Sequence, residues 1–461
     1  MQIINASEFD GYWKSFNQSG IGSGLDSADA VVREIIKAVR SERDTALRRY
    51  AERFDRSSPS RLEVPVNLTE ESWETLRNNG KETAAALELA AVHILKFAEL
   101  QRNQLVDFES EMKPGLFTGQ LVIPVEKAAV YIPAGRFPII SSVLMGMIPA
   151  LAAGVDEIIL ASPPMEDGFP NRNILAAAAL SMMIGGNSAN VKPNKTKLRV
   201  FAMGGAQAIA ALALGTESVP RASVIVGPGN KYVTAAKRML FGEVGIDLIA
   251  GPTDVLIIAG EETTDADNTA AKLIAADMLA QAEHDTDACA RVLVSSQKLA
   301  EQINIALEEQ LTVLPEESRA VARVSIDDNG LIVVCRLKEE TIRIANIIAP
   351  EHLELYSDDP GSWLSAGKSG MCLKNFGSLF IGSLAAEVLG DYSAGVNHTL
   401  PTSGNARFTG GLSVRHFLKI PTTLRCVPGT GYEETRQAAE VLGRAEGLAA
   451  HSAAAAMRRS Q

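Results

Sequence analysis

The sequence predicts an α/β protein with two parallel sheets laid down one after the other along the chain. Three observations carry that prediction. Apolar, strand-like runs alternate with helical runs from Ala128 onward; glycine-marked turns close several of the strand runs; and the alternation starts afresh at Asp254. Strands that take turns with helices need crossover connections, which favour parallel pairing with helices on both sheet faces. At 461 residues the chain is too long for one simple core, so two or more domains are expected.

Each element has its own signal. Residues 26–105 read as helices. The stretch from Ser27 to Arg40 sets apolar residues at helical spacing behind a Ser/Asp cap, and Lys81 to Gln101 is a second long amphipathic run. After Pro114-Gly115 the pattern becomes β, in Gly119 to Pro124 and Ala128 to Gly135. Glu157 to Ser162 reads as a buried strand and Ile174 to Met183 as a helix. Leu198 to Gly205 reads as a strand with its turn, Gly205 to Leu214 as a helix, and Ser223 to Gly229 as another strand with its turn. The second series runs from a strand at Asp254 through a helix over 265–283 and a strand from Ala290. A helix over Gln297 to Leu311 and a strand from Leu331 to Cys335 follow. The polar stretch 185–197 reads as a surface loop. No internal repeat is evident.

Composition narrows the function classes. A net charge of −11 without a long basic run argues against nucleic acid and against an anionic membrane surface. The apolar stretch Ile139 to Val155 is broken by Ser, Gly and Pro and is too short to span a bilayer securely. The first ten residues lack a basic and then apolar leader, so no signal peptide is expected and a cytoplasmic location follows. Cys289, Cys335, Cys372 and Cys426 are widely spaced and form no C-x-x-C pair. They read as buried small hydrophobes rather than as a zinc or disulfide framework.

With six histidines in the chain, their settings are informative. Gln281 and His284 stand three residues apart at the end of an alanine-rich helical run, where i and i+3 share a face. His352, His398 and His451 close short polar segments marked by Gly or Pro. Gln281, His284, Asp391 and His451 would offer a metal two imidazoles, one carboxylate and one amide oxygen, a thiolate-free set suited to Zn²⁺. Taken singly, Gln281 also reads as a helix-end polar group and His451 as a surface residue. Glu351-His352 follows Pro350, which favours a helix start or a turn. The pair offers two acid–base groups of different intrinsic pKa, or a capping Glu beside a surface His. His93 reads as structural and His416 as peripheral. No G-x-G-x-x-G motif opens a helix. Instead three turns, at Tyr131 to Arg136, Met203 to Gln207 and Gly227 to Asn230, provide glycines that allow close backbone approach, or serve as plain βα turns.

Taken together, several segments resemble the histidinol dehydrogenase family nearly end to end. They are Tyr131 to Arg136, Gly204 to Pro220, Gly227 to Arg238, Ala250 to Thr253, Gln281 to His284, Ala349 to Glu354, Gly390 to Tyr392 and Asn397 to Thr402. The resemblance implies a Zn²⁺- and NAD-dependent oxidation of an amino alcohol to a carboxylate in two hydride transfers. It implies zinc ligation by Gln281, His284, Asp391 and His451, with His451 reaching across from a partner subunit of a homodimer. Tyr131, Gln207 and Asn230 match NAD-contacting positions, and Glu351 and His352 match the acid–base pair. Thr253, His398 and Glu446 join the four metal ligands as substrate-contacting positions. The implied fold is a pair of incomplete Rossmann-like domains with helical N- and C-terminal arms. Residues 25–130 and 251–400 would form the first domain and 131–250 the NAD-binding second. Residues 1–24 and 401–461 would be the arms, the latter exchanged between protomers.

The chain departs from the family pattern in places. Thr253-Asp254 stands where Ser-Glu is usual, and Ala134-Gly135 replaces a glycine pair. Arg136 and Arg407 place cations that could meet an anionic substrate group or lie at the surface. These departures leave room for a paralogue acting on another small alcohol, such as sulfopropanediol, beside the leading reading of L-histidinol. A binding protein that has lost catalysis is the third reading, disfavoured because every expected metal and acid–base position is filled.

Overall fold

The computed structural model describes residues 1–18, 24–55, 62–133, 138–186, 188, 196–260, 269–366 and 370–459. Two six-stranded sheets organise it. The first is parallel throughout, in the order Gln2–Asn5, Leu331–Val334, Cys289–Val294, Asp254–Ala259, His352–Tyr356, Ser378–Ile381. Its residues sort by the two-residue strand period. Val255, Ile257, Val292 and Val294 pack under the helices Thr269–Ala282, Gln297–Leu311 and Glu316–Asn329. Leu256, Ile258 and Leu293 face Phe9, Ile342 and Trp363 on the other side.

The second sheet runs Gly245–Ile246, Val224–Val226, Lys127–Tyr131, Glu157–Ser162, Lys197–Ala202, Glu63–Val64 and is parallel except for its last edge strand. One face, with Val130, Ile158 and Leu160, meets the helices Lys81–Asn103, Ile140–Ala153 and Arg172–Gly185. The opposite face meets Gly24–Glu42, Gly205–Leu214 and Lys231–Leu240.

The packing divides the chain differently from the expected grouping of 25–130 with 251–400. The helices of 24–103 cover the second sheet, because their apolar stripes match its two faces. Within the residues expected as an N-terminal arm, Gln2–Asn5 is an edge strand of the first sheet, and Phe9, in the helix Phe9–Gln18, is fully buried. The C-terminal stretch also docks: Thr422–Cys426 pairs with Leu116–Gln120 and, through it, Phe108–Lys113 in a small antiparallel sheet. Helices Thr430–Ala445 and Ala449–Ala456 pack on each other beyond that sheet.

The strands and helices anticipated from Glu157 to Val334 occur close to the expected bounds; residues 265–268 of the anticipated helix and most of 185–197 lie outside the described residues. Helices Ile140–Ala153, Lys231–Leu240, Glu316–Asn329 and Lys338–Ile348 were not anticipated. Ile140–Ala153 is buried on nearly every side, which erases the amphipathic stripe. Gly146 lets it close on the sheet: a Cβ there would stand 2.5 Å from Val130 Cγ1. Two cysteines break the expectation of burial, Cys372 being half-buried and Cys426 exposed; all four are free thiols.

Candidate active site

Both halves of the site are built on strand ends. In the second sheet the glycine turns leave the carboxyl ends of Lys127–Tyr131, Lys197–Ala202 and Val224–Val226, as the α/β pattern leads one to expect. In the first sheet the polar residues gather at the opposite, amino ends. Thr253 immediately precedes the strand Asp254–Ala259, and Glu351 precedes His352–Tyr356. Glu351-His352 therefore opens a strand rather than a helix. Ala349 makes this geometry, ending the helix Lys338–Ile348 with φ +51°, a left-handed conformation that Ala rarely adopts.

Glu351 and His352 are buried, with Thr253 and Gln281 against them. Glu351 Oε2 accepts from Thr253 Oγ1 at 2.5 Å and from the Asp254 backbone N–H at 3.2 Å. Gln281 Nε2 lies 2.6 Å from Thr253 Oγ1, and the far end of its amide lies 3.1 and 3.2 Å from the two Glu387 oxygens. The proton on Glu387 decides how that amide sits. Facing a carboxylate, the nitrogen turns outward to donate; facing the acid, the oxygen accepts and Gln281 Nε2, Thr253 and Glu351 form a directed chain.

His352 stands among acids. Its Nδ1 is 3.9 Å from Glu351 Oε2 and 3.8 Å from Glu387 Oε2, and its Nε2 is 3.4 Å from Asp391 Oδ1. Glu387 and Asp391 reach it from one face of the short helix Glu387–Tyr392, four residues apart. Neither ring nitrogen has a well-formed hydrogen bond. Behind them lies a second layer of buried carboxyls. The Glu387 backbone N–H donates to Glu354 Oε1 at 2.8 Å, and the Tyr356 hydroxyl donates to Asp277 Oδ2 at 2.9 Å.

This crowding of acids shifts proton affinities in opposite directions. Burial pushes Glu351 up to about 7 and Glu387 up to about 8, against the pull of His352. Burial and then repulsion from Asp277 take Glu354 to about 9. Burial opposes charge on His352, but Glu351, Asp391 and Glu387 together outweigh it and raise the imidazole to about 10. Burial also works against the Asp391 charge, yet the contact with His352 holds that carboxyl below its usual value.

The expected metal ligands divide into two groups. Gln281 and Asp391 adjoin the buried cluster, and His284, exposed just past the helix end, is within electrostatic reach of Asp391. His284 Nδ1 lies 2.9 Å from the Ala280 carbonyl, which can only accept. The proton is thereby fixed on Nδ1 and the Nε2 lone pair is left to act as a ligand. His451 and Glu446 are instead exposed on the C-terminal helices. Among the described residues no three His, Cys, Asp or Glu side chains form a ready metal cage. The donor types still fit Zn²⁺, and the surplus of acid around an imidazole without hydrogen bonds suits a cation.

His398 links the two sheets. Its Nε2 lies 2.9 Å from Ser142 Oγ on the helix Ile140–Ala153, and burial holds the ring near pKa 4, so it is neutral. The neighbouring Asn397 donates to the Met145 carbonyl on the same helix at 2.8 Å. His93 Nδ1 contacts the Ser393 carbonyl. His416 caps a short 3-10 turn through Ser413, away from the acid cluster.

At the strand ends of the second sheet, the Gly205 N–H donates to the buried Tyr131 hydroxyl at 3.0 Å. Gln207 and the Gly204 N–H both approach Asp55 Oδ2, at 3.5 and 3.3 Å. A carboxylate at that helix start repels phosphate and suits a hydroxyl donor instead. Asn230 Oδ1 caps the helix Lys231–Leu240 through the N–H groups of Tyr232 and Val233, leaving its amide nitrogen to donate. Gly227 has φ +116°, and a Cβ there would stand 2.1 Å from the Tyr131 carbonyl oxygen. Its N–H donates to Asp247 at 2.7 Å and its carbonyl accepts from Lys237 at 3.0 Å, and Lys237 and Asp247 are themselves paired. These glycines stand at strand ends, the position where α/β sheets take ligands, with the Asn230 amide and the Asp55 carboxylate beside them. Arg136 and Ala134-Gly135 lie outside the described residues.

Sequence reasoning missed Asp55, Asp247, Asp277, Glu354 and Glu387. Two had readable signals: Glu354 interrupts an apolar strand, and Glu387 sits one helical turn before Asp391.

These features define a two-sheet α/β enzyme whose acid–base site lies where segments of both sheets meet. The chain belongs to the histidinol dehydrogenase family, whose model matches residues 22–459. It is thus a dehydrogenase, an oxidoreductase of histidine biosynthesis. It is 41% identical to a histidinol dehydrogenase of Prochlorococcus marinus over 436 residues, covering 95% of this chain and 91% of that one. It is 41% identical to that of Thermus thermophilus, over 94% and 95% of the two chains. The crystal structure of histidinol dehydrogenase from Elizabethkingia anophelis superposes with a TM-score of 0.81 at 32% identity, over 93% of this chain and 91% of that chain.

Proposed function

We propose that the chain oxidises L-histidinol to L-histidine through a bound aldehyde, passing two hydrides to two NAD⁺ with zinc at the site. The observation that supports this most is the buried Glu351-His352 pair, set against Asp391 and beside Gln281 and His284. Gln281, His284 and Asp391, with His451 of the partner subunit, would hold the metal, which supplies positioning of the substrate's nitrogen and oxygen atoms. The acid surplus at His352 keeps its imidazole protonated in the bare chain. A cation held at Asp391 would offset that carboxylate's charge, which would lower the proton affinity of the His352 ring.

His352 would then take the alcohol proton, and bound NAD⁺ would supply the hydride acceptor. Glu351, near neutrality at about 7, activates water to hydrate the aldehyde before the second hydride leaves. Thr253 holds the Glu351 carboxyl, while His398 contacts the substrate and Glu446 of the partner subunit, which would arrive with His451 of the partner subunit, completes that contact. Tyr131, Gln207 and Asn230 contact NAD. A homodimer is part of the reading because His451 is exposed, on a helix packed mainly on Thr430–Ala445 rather than on the helices that carry the other expected ligands. The C-terminal helices also expose Val441, Leu442 and Met457, apolar surface that a second copy would cover.

Arg407, a candidate for a sulfonate, donates to the Ile347 carbonyl, and no geometry in the acid cluster favours a sulfonated diol over histidinol. The test is NADH production with L-histidinol and with sulfopropanediol, each with and without a chelator. Two NADH per histidinol, abolished by chelation, is the expected result; turnover of the diol alone would overturn the reading.

A further inference from the structure

Behind the acid cluster, under the N-terminal helix Phe9–Gln18, lies a separate cavity of about 150 Å³. Trp13, Phe16, Asn17, Arg291, Ser403 and Arg407 line it, with Asp254 as its single carboxylate. Arg291 is unusual. It sits in the buried strand Cys289–Val294 at 3% exposure, where an aliphatic side chain would be expected. Its guanidinium lies 5.3 Å from the centre of the Trp13 ring and 4.8 Å from that of Phe16. Its ion-pair contact is one Asp254 oxygen at 3.9 Å, too far for a hydrogen bond; the Cys289 thiol, a weak partner, is its other polar neighbour, and its Nε has none. Burying a guanidinium with its donors so poorly met is costly unless something else meets them.

We propose that this cavity binds a small oxyanion, a carboxylate or a phosphate, held by Arg291 from within and Arg407 from the rim. Arginine's planar fork matches the paired oxygens of such groups, and the aromatic rings hold that fork in place. The lining carries two cations against one carboxylate, so an anion would be attracted rather than repelled. The volume suits a few heavy atoms and excludes a nucleotide. Asp254 ties the cavity to the acid–base pair: its Oδ1 faces the Glu351 backbone N–H at 3.4 Å, while its Oδ2 faces Arg291. An anion that draws Arg291 away from Asp254 would therefore be felt at Glu351.

The test is calorimetric titration of the full chain with inorganic phosphate and with acetate at fixed ionic strength. Saturable binding of at least one anion is expected, weakened about tenfold or more by Arg291→Met and several-fold by Arg407→Gln. Phosphate binding alone identifies a phosphoryl ligand, and acetate binding a carboxylate. His284→Asn, which alters the acid–base region instead, should leave the titration unchanged. Absence of saturable binding, or equal affinity in wild type and Arg291→Met, would overturn the proposal. Should Arg291→Met fail to fold, unchanged affinity in Arg407→Gln, a substitution of an exposed residue, would overturn it as well.

Discussion

His352 shows how much a single position owes to its surroundings. An ordinary imidazole titrates near neutrality, but this one, buried among Glu351, Glu387 and Asp391, holds its proton more tightly. Replacing it by Asn should cut turnover about 10²–10⁴-fold, the usual worth of a general base, while zinc stays bound. Unchanged turnover with metal still present would rule out the role. Glu351→Gln separates the two half-reactions: the first hydride should still transfer while the second stalls. The expected readout is a fall from two NADH per histidinol toward one, with aldehyde trapped by hydrazine; retention of two would exclude Glu351 from the hydration step. Glu387 touches neither metal nor substrate in this reading but orients Gln281 and His352. Glu387→Gln should lower zinc affinity or activity about 10–100-fold, checked by metal titration as well as rate.

At the scale of elements, the two sheets contribute opposite ends. The second sheet presents the carboxyl ends of its strands and the first presents the amino ends of two of its own. The glycine turns were legible because Gly227 and Gly204-Gly205 mark strand ends in the sequence itself. Glu351-His352 was legible as a polar pair after proline, but not as a strand opening, because the left-handed Ala349 that sets its direction leaves no sequence mark. Gly227→Ala tests one of these turns. Both its φ and its 2.1 Å approach to the Tyr131 carbonyl oppose a side chain, so a loss of about 1–3 kcal/mol is expected, read as a lower denaturation midpoint. Gly168→Ala, with positive φ but nothing within 4 Å, should cost less. Equal losses would show that the close approach contributes nothing.

At the scale of the whole molecule, the expected ligand His451 is exposed on a helix packed mainly on Thr430–Ala445, while Gln281, His284 and Asp391 lie at or near the acid cluster. If a partner supplies it, mixing His352→Asn with His451→Asn should regenerate activity. Heterodimers would then carry one intact site, giving about a quarter of wild-type activity on random assembly. No recovery after co-refolding would place His451 on its own subunit or outside the site. Long-range order of this kind was the least legible part of the sequence. Local pattern led one to expect Gln281 and His284 on one helix face; the helix ends at Ala282 instead, leaving His284 exposed beyond it and Gln281 a buried amide beside Glu387.

What the sequence determined by itself is whatever local chemistry encodes. The strand–helix alternation, the glycine turns, the family motifs and the set of acid–base and ligand types all stand in short segments. The tertiary structure alone decided which segments meet. Apolar stripes placed the helices of 24–103 on the second sheet, and chain packing brought Asp277, Glu354 and Glu387 behind His352. Side chains far apart in sequence acquire their proton affinities only when burial removes water from around them, and no local pattern records that.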